Sequence, residues 1–141
     1  MAYSVRRAVW ESDEPAIRDL RQRVFIDEQG VPPELEWDGL DAECHHVVAL
    51  DDEGVVVGTG RMTNDGKLGR MAVTPKHRGR GVGADVLRAM IDAAKSLGLS
   101  DVRLSAQQHA LGFYERFGFV PEGPPHVEAG ISHQRMVLRL A

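Results

Sequence analysis

The sequence predicts an α/β (α+β) fold in which antiparallel strands alternate with helices, and three observations carry that prediction. Apolar, β-branched stretches at 46–50, 55–62 and 68–74 follow one another across short turn-forming segments. Two further stretches repeat apolar residues at helical spacing. A basic, glycine-rich turn leads from the last of those strands straight into the second helix. At 141 residues the chain has the size of a single domain covering 1–141, long enough to bury roughly two-thirds of its unfolded surface.

Taken in order, Ser4 to Trp10 reads as a first strand, and Ser12 or Asp13 is placed to cap a helix with Pro15 in its first turn. Ile17, Leu20, Val24 and Phe25 recur at helical spacing and carry that helix to Glu28. From there to about Glu43 the chain holds Pro32-Pro33 and no sustained period, and long irregular segments in compact domains are often functional. His46 to Leu50, Val55 to Met62 and Leu68 to Thr74 read as antiparallel strands, joined by Asp51-Asp52-Glu53-Gly54 and Asn64-Asp65-Gly66-Lys67. Val82, Val86, Met90, Ala93 and Leu97 mark one face of the next helix, which Gly98 is suited to stop. Val102 and Leu104 alternate in a strand from Asp101 to Ala106, and a short helix around Tyr114 follows. The stretch 120–140 holds two last strands around Glu122-Gly123-Pro124-Pro125 and Gly130.

The turn is the most informative part of the chain. In Met71-Ala72-Val73-Thr74-Pro75-Lys76-His77-Arg78-Gly79-Arg80-Gly81-Val82-Gly83-Ala84, glycines remove the Cβ atoms that would keep a pyrophosphate from the backbone. The opening helix turn leaves N–H donors without internal partners, at the positive end of the helix dipole. Lys76, Arg78 and Arg80 add charge, and His77 is a further donor. A Walker loop is excluded, because no Gly-Lys-Ser/Thr follows. Gly79-x-Gly81-x-x-Ala84 fits the dinucleotide pattern G-x-G-x-x-A, which would make the chain a nicotinamide-dependent oxidoreductase. That pattern also requires an acid at the end of the next strand, yet the only acid there, Asp101, stands at its start.

Arg78-x-x-Gly81-x-Gly83 resembles the R/Q-x-x-G-x-G/A turn of the GNAT superfamily of acetyl-CoA-dependent N-acyltransferases. About 30 residues on, Ala110-Leu111-Gly112-Phe113-Tyr114-Glu115-Arg116-Phe117-Gly118-Phe119 resembles that family's A-x-x-x-Y-x-x-x-G-F signature. The segment Arg23-Val24-Phe25-Ile26-Asp27-Glu28-Gln29-Gly30-Val31-Pro32 is similar to the ElaA-like branch. The resemblance implies a mixed, mostly antiparallel sheet flanked by helices, in which the strands before the turn and before the tyrosine helix splay apart to admit pantetheine. It implies that Met71, Ala72 and Val73 offer backbone groups to the pantetheine amides and the thioester carbonyl. Arg78, Gly79, Arg80, Gly81, Val82, Gly83 and Ala84 would hold the pyrophosphate, with Gln107, Ala110, Phe113 and Tyr114 also on acetyl-CoA. The acceptor would be a primary amine of a small molecule or an exposed peptide amino group. A homodimer is one assembly the resemblance allows.

Acyl transfer to an amine needs a base for the ammonium, a donor for the oxyanion and an acid for the thiolate. Tyr114 matches the family's acid position. Some relatives carry a glutamate on the strand before the turn, but 67–73 contains no acid, so Glu28 is the first choice of base, followed by Glu36, Asp38 and Glu128. Arg23, Gln29, Trp37 and Asp38 are candidates for acceptor binding. A non-catalytic acyl-CoA sensor would carry the same turn.

The net charge of −4 argues against nucleic acid as a partner. From Val24 to Gly60 there is no Lys or Arg, while acids crowd 27–43; from Arg61 to Arg80 the balance reverses. If the basic half receives phosphates, the acidic half is either a place for a cationic amine or a solvated loop. No apolar run is long enough for a bilayer span and no basic-then-apolar leader is visible, so a soluble, cytoplasmic protein is expected. Cys44, the lone cysteine, agrees with a reducing compartment. His45, His46, His109, His126 and His133 match no zinc spacing, and no metal is expected.

Overall fold

The computed structural model describes residues 2–140 and opens with strand β1 (Ser4–Arg7) and helix α1 (Trp10–Arg21). The helix starts earlier than the capping pattern suggests, because Asp13 works from inside its first turn. One carboxylate oxygen accepts from the Val9 N–H and from Arg6 Nη1, each at 2.8 Å, and the other from Arg6 Nη2 at 2.9 Å. That ties strand to helix. After Arg21 the helix widens into a π-helical segment, Gln22–Glu28, rather than running on as α-helix to Glu28. The irregular stretch beyond it holds helix α2 (Pro33–Glu36) and a 3₁₀ turn, Asp41–Glu43.

Strands β2 (His45–Leu50), β3 (Val56–Met62) and β4 (Leu68–Val73) follow as an antiparallel meander in the order β1-β2-β3-β4. Then come α3 (Val82–Ser96), β5 (Asp101–Gln107), α4 (Leu111–Glu115), β6 (Val120–Pro121), β7 (His126–Glu128) and β8 (Ile131–Arg139). β8 lies between β5 and β6 and also pairs with β7, all antiparallel. The terminal region thus contains three strands where the sequence suggested two. Pro124 and Pro125 lack the N–H groups a ladder needs, and pairing resumes only at His126.

β4 and β5 are joined by one parallel bridge, Lys67 to Arg103, where the Arg103 N–H donates to the Gly66 carbonyl at 2.9 Å. Beyond that bridge no ladder connects the two sheets among the described residues. α3 lies against both halves and buries Val82, Val86, Leu87, Met90, Ile91, Ala93 and Ala94. Leu97, expected on this face, is 44% exposed, because α3 stops at Ser96. Gly98 takes φ +77°, and the N–H groups of Gly98 and Leu99 return to the Lys95 and Ala94 carbonyls at 3.0 and 3.1 Å. α3 comes close to β3 over two glycines. A Cβ on Gly58 would sit 2.9 Å from Val82 Cγ1 and 3.3 Å from Ala49 Cβ.

Between α1, α2, β3 and β4 lies a set of charges in which Arg21, Glu36, Asp41 and Arg61 are buried and Asp38 and Arg70 stand at the rim. Arg21, 0% exposed, donates from Nε to Glu36 at 2.6 Å and from Nη1 to Asp41 at 2.7 Å. Arg61 on β3 reaches Asp38 at 2.8 and 2.9 Å and Asp41 at 3.0 Å. Arg70 on β4 stands 3.2 Å from Glu36 and 3.3 Å from Asp38. The hydrogen bonds from Arg61 hold the Asp38 carboxyl far below its ordinary range. Burial opposes the charge on Asp41, but Arg21 and Arg61 outweigh it and keep that carboxyl low as well. At Glu36 burial wins, and its carboxyl is pushed up despite Arg21 and Arg70.

Removing one partner from such a set leaves the others charged in low dielectric. Arg21→Met is therefore expected to lower unfolding free energy in urea by about 3–5 kcal/mol, whereas exposed Arg23→Ala stays within about 0.5 kcal/mol of wild type. Gly58→Ala forces Val82 aside at the root of α3. Its expected cost in the same measurement is about 1–3 kcal/mol.

Candidate active site

The turn after β4 is built as the glycines suggest, though for a partly different reason. Gly79 and Gly81 have φ of +75° and +83°, and a Cβ at either would meet nothing within 4 Å. They are needed for the left-handed backbone rather than for room within the protein itself. Gly81 is the N-cap of α3 and no side chain caps the helix there, so the first N–H groups of α3 are without intrahelical acceptors. Lys76 and Arg80 are exposed and form no ion pair among the described residues. Arg78 is held differently. Its Nε donates to the Val73 carbonyl at 2.9 Å, and its two terminal nitrogens meet the two oxygens of Glu28 at 2.7 Å each. His77, expected as a phosphate donor, is buried instead, with Nδ1 2.8 Å from the Tyr3 hydroxyl.

Where β4 and β5 separate, a cavity of about 650 Å³ opens. Met71 and Arg70 of β4, Ser105 and Gln107 of β5, and Ala110 and Tyr114 line it from the two sides of the split. β4 carries a bulge here. Gly58 pairs with Val73, Thr59 with Ala72 and Arg61 with Gly69, so Arg70 and Met71 together face Gly60, and Arg70 takes φ +49°. Such an extra residue falls out of the ladder and leaves backbone groups free. The Tyr114 hydroxyl reaches across to Met71 Sδ at 3.8 Å. Sulfur is a weak acceptor, so the phenolic proton remains available to a stronger one. Burial pushes the Tyr114 hydroxyl upward and keeps it protonated at neutral pH.

The other expected residues divide. Gln29 and Asp38 line the cavity, Asp38 with its carboxylate on Arg61 and Arg70. Arg23 is exposed on Asp19, away from the cavity. Trp37 does not line it either; the guanidinium groups of Arg18 and Arg21 lie over its ring, at 5.1 and 5.0 Å from its centroid. Phe113 packs on Tyr114, ring centroids 5.1 Å apart, and orients it from behind. Glu28 is outside the cavity, and the Arg78 hydrogen bonds lower its carboxyl, which weakens it as a proton acceptor. Of the acidic run only Glu36 and Asp38 line the cavity, and both carboxylates are taken by arginines rather than left for a cationic amine. Cys44 is half-buried at a separate cavity of about 110 Å³ beside His46, and burial raises its thiol, which disfavours a thiolate there.

Sequence inspection did not single out Lys67, Arg70 or Ser105 as cavity residues, and considered His109 and His133 only for a metal. Among the described residues no cluster of three or more His, Cys, Asp or Glu side chains is arranged for a metal. Among the described residues no helix is long and apolar enough to cross a membrane.

Residues 13–140 match the family model of the acetyltransferase (GNAT) domain. The chain is 38% identical over 137 residues to YjcF of Bacillus subtilis, an uncharacterized N-acetyltransferase, covering 93% of this chain and 98% of that one. An acyl-CoA N-acyltransferase from Pseudomonas aeruginosa superposes with TM-score 0.85 at 30% identity, over 96% of this chain and 99% of the other. Escherichia coli ElaA shares the fold, with TM-score 0.82 at 24% identity over 96% and 99% of the two chains. With the family model spanning nearly all of a chain that carries both the glycine turn and the split sheet, this protein belongs to the GNAT family of N-acetyltransferases.

Proposed function

We propose that this chain moves the acetyl group of acetyl-CoA to a primary amine, of a small molecule or an exposed peptide amino group, by direct attack of the free amine on the thioester. The observation that carries it is the split between β4 and β5, with a phosphate-suited turn at one end and a protonated tyrosine in its wall. The turn from Arg78 through Gly79, Arg80, Gly81, Val82 and Gly83 to Ala84 holds the pyrophosphate on backbone N–H groups. The pantetheine amides pair with the exposed edge of β4 at Met71, Ala72 and Val73, and Gln107 reaches the arm from β5. An N–H at the bulge polarises the thioester carbonyl, and Tyr114 protonates the departing sulfur. Glu28 braces Arg78 in the turn and is not the base. The lone cysteine and the net charge of −4 fit work in the cytoplasm, without nucleic acid or membrane.

Acetyl-CoA at about 100 times its Kd is expected to stabilise the fold by about 2.7 kcal/mol, seen as a rise of several degrees in Tm, while NADH gives none. Arg78→Ala with Gly81→Ala should abolish the rise, since it strands the Glu28 charge beside the turn and strains the helix cap. Stabilisation by NADH alone would point to an oxidoreductase instead.

Tyr114→Phe tests catalysis apart from binding. Turnover, followed as free thiol released with a panel of amines, is expected to fall by about 100-fold or more with the acetyl-CoA shift in Tm preserved. A sensor that merely binds acyl-CoA would show no thiol release in either protein.

A further inference from the structure

With Glu28 held by Arg78, the ammonium of the acceptor needs another proton acceptor, and β8 offers one. His133 stands opposite Gln107 on β5, and both line the cavity that Tyr114 and Met71 share. Its Nδ1 lies 2.7 Å from the Ile131 carbonyl. A carbonyl can only accept, so Nδ1 carries the hydrogen, and the neutral ring is left with its lone pair on Nε2. The ring is kept in place by His126 of β7, stacked at 6.1 Å between centroids and 24° between planes. His126 is occupied in turn, with Nε2 on Glu128 at 2.8 Å. His109 also lines the cavity, but it is exposed on a 3₁₀ turn and no hydrogen bond fixes its ring among the described residues.

We infer that His133 is the general base of the reaction, with Glu128 as the carboxylate that steadies its charged form. This rests on the acetyltransferase reading. His133 Nε2 takes one proton from the acceptor ammonium and later passes it to solvent. The freed nitrogen pair forms the C–N bond at the thioester carbonyl, and the carbonyl pair moves onto oxygen. When it returns, the C–S bond breaks, the sulfur leaves with the Tyr114 hydroxyl proton, and Tyr114 recovers a proton from the new amide nitrogen. The products are the N-acetyl amine, free CoA thiol and one proton. Glu128 suits its part. Burial opposes its charge, but hydrogen bonds from His126 and Ser105 and the nearness of His133 outweigh that and keep it ionised. The other charged or titratable groups of the cavity around His133 are Lys67, Arg70, Arg61, Glu36 and Asp38 across the split and His109 and Tyr114 beyond β5, with His126 of β7 stacked on the ring.

The test measures thiol release from about pH 6 to about pH 10 for wild type, His133→Gln and Glu128→Gln, each first shown to bind acetyl-CoA by its Tm shift. His133→Gln should lose about 100-fold or more near neutrality and approach wild type as the pH nears the amine's own pKa of about 10, where no base is needed. Glu128→Gln removes the anion beside His126 and His133 and should lower thiol release near neutrality with the acetyl-CoA shift in Tm preserved. A loss in His133→Gln that is equal at every pH, or no loss, overturns the assignment and leaves the acetyltransferase reading intact. A wild type that binds acetyl-CoA but releases no thiol with any amine overturns both. Should His133→Gln fail to fold, His133→Asn takes its place, and nitrogen NMR of the wild-type imidazole decides the tautomer. A hydrogen on Nε2 with Nδ1 bare would overturn the inference.

Discussion

Three guanidinium groups and three carboxylates joined in one network, with Arg21, Glu36, Asp41 and Arg61 buried at its centre, set the geometry of the acceptor side of this molecule. Arg21 comes from α1, Arg61 and Arg70 from β3 and β4, and Glu36, Asp38 and Asp41 from the connection between helix and sheet. A charge placed in low dielectric is tolerated only with its partners in reach, so the segment that carries the acids has little choice of position. That connection, otherwise poor in regular structure, becomes a fixed wall. Because the set pairs three positive with three negative groups, the wall it forms has little net field of its own, and a cationic acceptor is not drawn there by charge alone.

The same network shows which parts of the site a sequence discloses. The glycine turn was legible because its chemistry is local: left-handed backbone, unpaired N–H groups and nearby cations all lie within one short stretch. Tyr114 was legible through its surrounding pattern. The fate of the acids was not, because a local charge count finds no cation between Val24 and Gly60, while the actual partners stand just outside that window at 21, 61 and 70. Glu28 and Arg78 are 50 residues apart, and nothing at either end announces the pairing. His133 and Glu128 enter the cavity through the register of β5, β7 and β8, which prolines in the preceding loop made hard to place.

Glycine serves two separate ends in this fold. At 79 and 81 it supplies a dihedral angle that a side chain would strain, although the surrounding space is open. At 58 and 60 it supplies room, since the atoms of Val82, Val86 and Met90 already occupy what a Cβ would need. The two kinds meet at the start of α3: one pair shapes the backbone that leads into the helix, and the other lets its first turns lie flat on the sheet.

The single bridge between Lys67 and Arg103 also divides the chain along its length. Every ladder of the first sheet closes within 4–73, and every ladder of the second within 101–139, so each half satisfies its own pairing. Among the described residues α3, one backbone bond and a few side-chain contacts, Arg103 to Asp65 and Tyr114 to Met71, stitch them. The cleft is then the seam left where two nearly self-contained pieces dock, and its two unpaired edges exist because neither half required the other to complete its hydrogen bonds.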